Sequence, residues 1–167
     1  MCRLTTLTLM KHKRWINAGM LTAIKGMNAD RDQAERKGML SLIHHIYTTD
    51  IGERASLTGG MHEYTALHSH RTPEAAALAM SMADCCRWHV DCLHHLSTDE
   101  LDLQVPYRRA DGKMTQANSI LLAQVSEHDT RHSKSTGWLN NACGGRAPRN
   151  VLPVFLHECL QECRKVW

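Results

Sequence analysis

Two histidines four residues apart, His128 and His132, are the side chains of this sequence best placed to do chemistry. On a helix such a pair leaves one face a turn apart, so both imidazoles can reach the same point. Leu121 and Val125 run into the pair and Leu139 lies beyond it, with spacings of 4, 3, 4 and 7. The histidines therefore take two positions in an otherwise apolar stripe. Neutral imidazole is the commonest metal-ligating side chain, so this pattern points to a divalent metal ion. Two histidines alone hold an ion weakly, and a third ligand must come from a facing helix. By position the candidates are His44, His45 and His89. The competing reading is a pair of ordinary helix histidines.

Composition sets the frame for that site. The chain of 167 residues is 43% hydrophobic and 22% charged, which suits one globular domain over 1–167 with a substantial core. The net charge of +3 is small, and Lys11, Lys13 and Arg14 form the densest basic group, far from Arg108 and Arg109. No basic face is read, so nucleic acid is not an expected partner. Nor is a membrane, since no uncharged apolar run of 18 residues occurs. No secretory leader is read either. The seven cysteines are odd in number and contain no CxxC pair, which argues against a disulfide framework and a cysteine zinc site. A reducing cytoplasm is the expected location.

Periodicity then supplies the elements. A first helix is expected over about 5–28, with Leu7, Met10, Ala18, Leu21 and Ile24 at helical spacing and Trp15 in the core. Asn17 beside that stripe needs a polar partner or solvent. A second helix is expected over 38–58, carrying Met39, Leu42, Ile43, Ile46 and Tyr47 inward and stopping at Gly59-Gly60. The following stretch, with His62, His68 and His70, reads as a solvated loop. Thr72-Pro73-Glu74 opens a third helix, with Thr72 as N-cap. Its stripe is Leu78, Met82, Cys85, His89, Cys92 and Leu96, while His94 and His95 sit favourably near its C-terminal end. Cys85, Cys86 and Cys92 are expected as buried free thiols, with a thiolate ligand the alternative. Asp111-Gly112 between short extended runs signals a hairpin. A long helix over 116–141 and a short one over 151–164 complete the chain.

The expected fold is all-α: an antiparallel four-helix bundle with a short hairpin insert before the last long helix and a short C-terminal helix. Facing helices of a bundle can build a metal site from inward side chains. A metallopeptidase is not expected, because Asp129 stands where the HExxH helix carries its glutamate general base.

Four stretches, taken in order, resemble the DinB family of DinB/YfiT-like metalloenzymes. His12-Lys13-Arg14-Trp15-Ile16-Asn17 is similar to that family's Tyr-Asn-x-Trp-x-Asn pattern. His44-His45-Ile46-Tyr47-Thr48-Thr49-Asp50 resembles its Asn-His-Leu/Ile-x-x-x-Asp segment. Leu101-Asp102 through Tyr107-Arg108 to Asp111-Gly112 resembles its hairpin, and His128-Asp129-Thr130-Arg131-His132 its His-x-x-x-His. The resemblance implies a bundle, often homodimeric, that holds zinc or nickel through His45, His128 and His132. Asp50 matches the family's acid, with a role behind a ligand or in an ion pair with an arginine. Ser133-Lys134-Ser135 departs from the Arg-Gly-Gln common in relatives, and Arg131 stands where many have His. Both changes alter the rim of the site without removing a ligand.

Three nitrogens leave a position open on such a metal, the mark of a catalytic site. The resemblance implies a metal-dependent enzyme that acts on a small-molecule substrate, by transfer of a low-molecular-weight thiol to an electrophile or by a related hydrolysis. His89 and Arg131 are then candidates for acid, base or substrate contacts. The alternative is a non-catalytic, metal-stabilised stress-response or structural protein, with His89 closing a tetrahedron. A helical dimer module without metal is a third expectation.

Overall fold

A computed structural model describes residues 3–59, 74–109, 112–146 and 152–164 of the chain. It is predominantly helical, as periodicity predicts. The elements in order are α1 (Arg3–Gly26), α2 (Gln33–Thr58), α3 (Ala75–His95), α4 (Thr98–Asp102), β1 (Gln104–Arg109), β2 (Gly112–Ala117), α5 (Asn118–Ala142) and α6 (Leu152–Arg164). Helix α2 packs most extensively on α5, and α1 on α3 and α5, with further contact between α2 and α3. No helix among the described residues is long and apolar enough to cross a membrane.

Several boundaries differ from the sequence reading for local reasons. Helix α2 begins five residues before Gly38 and ends as expected, with Gly59 at φ 65° and its N–H turned back to Ala55 and Ser56. That left-handed stop suits glycine, which has no Cβ to clash. Helix α3 takes Glu74 as its N-cap, the carboxylate accepting the Ala75 N–H at 3.0 Å. Thr72 and Pro73 lie outside the described residues, as do His62, His68 and His70. The hairpin is present and antiparallel, but Arg109 pairs with Gly112, so the connection is one residue earlier than Asp111-Gly112.

Helix α4 was not anticipated. Ser97 accepts from the Glu100 N–H at 3.2 Å and Glu100 accepts from the Ser97 N–H at 2.7 Å, a capping box around one turn. Asn118 ties α5 to this turn by donating from Nδ2 to the Glu100 carbonyl at 2.8 Å.

Two apolar clusters form the core. One joins Ile16, Met20 and Ile24 of α1 to Met39, Ile43 and Ile46 of α2 and Leu78 and Met82 of α3. The other joins Met10, Leu93, Leu101, Leu122 and Val125. Along α1 the change from one cluster to the other falls between Met10 and Ile16. Lys13 lies in that interval, and it is buried. Ala18, expected inside, is exposed, and Ile16 and Met20 fill the core instead. On α3 Leu93 is buried while Cys92 is only half-buried.

Candidate metal centre

The three histidines singled out by the resemblance come together. Helix α2 supplies His45, and α5 supplies His128 and His132 from successive turns. Ring centroids are 5.0 Å apart for His45–His128, 4.8 Å for His45–His132 and 4.5 Å for His128–His132. One ligating nitrogen from each lies within 4.8 Å of the others. The Nε2 atoms of His45 and His128 are 3.2 Å apart. Two nitrogens bound at about 2.05 Å to a tetrahedral zinc stand roughly 3.3 Å apart, so this separation fits a shared cation. An N–H···N hydrogen bond between the two rings fits the same distance.

Electrostatics favour the neutral, ligating form. Burial lowers the pKa of His128 to about 3, and the neighbouring His132 and His45 lower it too. Its other nitrogen, Nδ1, is buried without a hydrogen-bond partner. The rings are half-buried rather than sealed, because the buried face of α5 runs through Leu122, Val125, Asp129, Ser133 and Thr136. The histidines thus flank the centre of the stripe, one residue off the expected line.

The other candidates do not join them. His44 is half-buried and stacks on Tyr47. Among the described residues, no fourth His, Cys, Asp or Glu belongs to the converging group. Arg131 is exposed and pairs with Glu127 at 3.2 Å. Burial pushes the Cys85 thiol up to about 12 and Cys86 to about 11, and neither sulfur belongs to the converging group. One cavity of about 310 Å³ lies by Asn28, Asp32 and Asn140, another of about 180 Å³ by His12, Lys13 and Thr130. Neither is lined by the three histidines.

His89 is only 1% exposed, with Nδ1 2.9 Å from the Cys85 carbonyl oxygen. That carbonyl can only accept, so Nδ1 carries the hydrogen and Nε2 is left as a buried, unpartnered acceptor. Burial, reinforced by Lys13, lowers its pKa to about 4. A histidine kept neutral in the fold favours unfolding wherever the unfolded chain alone is protonated. Its contribution therefore costs stability as pH falls from about 6.5 to about 4, by up to about 1.4 kcal/mol per pH unit. His89→Gln is expected to flatten that part of the denaturation profile. A profile equally steep in the variant would contradict this.

A second polar cluster lies inside the helices, and the sequence reading missed it. Lys13 Nζ is 2.9 Å from Asp50 Oδ2 and 3.2 Å from Asp129 Oδ1. The three side chains are 2%, 1% and 0% exposed. Burial alone would lower the pKa of Lys13, but Asp129 and Asp50 raise it further than burial lowers it, so the ammonium stays charged. Burial pushes both acids up, with Lys13 opposing. Asn17 finds its place here, buried beside Cys86, with Nδ2 4.0 Å from the Cys86 sulfur. The partner of Asp50 is thus a lysine, not an arginine.

Compared with known proteins, the chain matches no family model and no curated sequence at a significant level.

Proposed function

We propose that this chain is a divalent-metal-binding protein of the DinB-like type, a four-helix bundle in which His45, His128 and His132 hold zinc or nickel. The observation that carries the reading is the convergence of three half-buried imidazoles from two helices, with two Nε2 atoms at a spacing that suits one ion. The ordered motifs given above support the family reading. Three histidine ligands without a fourth protein donor among the described residues leave room for water or substrate, which favours an enzyme over a purely structural site. A metal held there would supply Lewis acidity, or stabilise a bound thiolate or hydroxide near neutral pH.

The chain's own residues do the remaining work. His45, His128 and His132 present their ring nitrogens to one another, and their half-exposed side is the one from which a small substrate would approach. Arg131, exposed nearby on α5, is placed to meet an anionic group if it leaves Glu127. The reaction proposed is transfer of a low-molecular-weight thiol to an electrophile, or a related hydrolysis.

The test is to load the protein with zinc or nickel and follow consumption of small thiols with a chromogenic aryl halide. Turnover above the uncatalysed rate, lost in His132→Ala, is expected. No turnover with any thiol, in protein that does hold metal, would favour the alternative in which the ion only stabilises the helices.

A further inference from the structure

We propose that Lys13 is a positioning residue for the three-histidine site. Its ammonium bridges Asp50 on α2 and Asp129 on α5, and so holds the two ligand-bearing helices at the separation a metal requires before any metal arrives. The inference rests on the metal reading above.

Placement is the first argument. Asp129 directly follows His128 and precedes His132 by three residues, so its carboxylate is fixed to the backbone that presents both ligands. Asp50 follows His45 by five residues, a little over one turn. Helix α1 contributes nothing to the histidine group, yet its Lys13 reaches both acids, at 2.9 and 3.2 Å. One side chain therefore joins the two helices that carry the ligands.

Burial is the second argument. All three groups have left water almost completely. Desolvating charges costs several kcal/mol each, and apolar residues of similar volume often serve stability as well or better. A stabilising role alone is thus a poor account of the triad, whereas fixed geometry is what a directional ion pair provides. Among the described residues, Lys13 is the one cationic side chain paired with Asp50 and with Asp129.

Asp50→Asn is the variant to test, because it keeps shape and leaves the Lys13–Asp129 pair intact. Zinc affinity, read by competition with a chromophoric chelator, is expected to fall about 10- to 100-fold. The visible spectrum of the cobalt(II)-loaded variant is expected to change as well, since a displaced ligand alters coordination geometry. Wild-type affinity and an unchanged cobalt spectrum would overturn the proposal, whatever the variant's melting temperature. A second measurement uses the unmutated chain. In the metal-free protein, amides around His45 and His132 should exchange no faster than those in the rest of α2 and α5, and markedly faster exchange there would equally overturn the proposal. If the wild type takes up no zinc, the metal reading falls and this inference with it. Zinc lost in His132→Ala but undiminished in Asp50→Asn would reject the inference alone.

Discussion

Lys13→Met is expected to destabilise the protein by about 3–5 kcal/mol, the usual cost of breaking a buried ion pair from one side. Methionine matches the length and flexibility of the lysine stem, so packing changes little. What is lost is the cation, and Asp50 and Asp129 are then left together in an interior where they are 1% and 0% exposed. The cost has a pH signature. Burial already raises the pKa of Asp50, against the pull of Lys13, and without Lys13 it rises further. A carboxyl whose folded pKa exceeds its unfolded one binds more protons in the fold, so stability grows as pH falls. The deficit of Lys13→Met should therefore be larger at pH 8 than at pH 5 in chemical denaturation. A loss under about 1 kcal/mol, the same at both pH values, would mean that the acids reach solvent or other partners.

Lys13 also shows what sequence reading passed over. By sequence it counts with Lys11 and Arg14 in the densest basic group. Its spacing says otherwise: Met10, Lys13, Asn17, Met20 and Ile24 follow one another by three or four residues, and all five are buried. A lysine on such a stripe needs a buried acid opposite it. Two were available at inward positions on other helices, Asp50 and Asp129. The pairing across 116 residues is tertiary and leaves no local trace.

The helices themselves were legible because their apolar spacing and glycine stops are local. The two ends that moved did so for chemical reasons. Helix α3 is capped by Glu74 through its own carboxylate, and α2 starts at Gln33, its helix passing through Gly38 without a break. Helix α4 has a readable local signal, Ser97 followed three residues later by Glu100.

The histidine site was legible in part. The i,i+4 pair gave His128 and His132, but spacing alone left His44, His45 and His89 open as the third ligand. The four-motif resemblance singled out His45, and in the structure His45 is the one that lies with the pair. Cys85 and His89, read as one stripe, do lie together, and the histidine turns its hydrogen to the Cys85 carbonyl rather than to a ligand site. Helical period could not show that His128 and His132 border the buried face instead of centring it, because Asp129, Ser133 and Thr136 are polar residues that tertiary partners bury.

Metal binding carries the account, and its loss is the second large effect. Zinc at about a hundred times its dissociation constant should stabilise the wild type by about 2.7 kcal/mol, since it binds the folded chain alone. His45→Ala, His128→Ala and His132→Ala should each remove most of that stabilisation, because two imidazoles remain and neither pair closes the site. The variants should stay folded without metal, as each ring is only half-buried. The most direct measurement is elemental mass spectrometry on tag-free wild-type protein beside these three variants. A single equivalent of zinc or nickel in the wild type, absent from all three, is the result predicted. Wild-type protein without metal after zinc loading, or metal retained in the variants, would contradict the account and return His45, His128 and His132 to ordinary helix histidines.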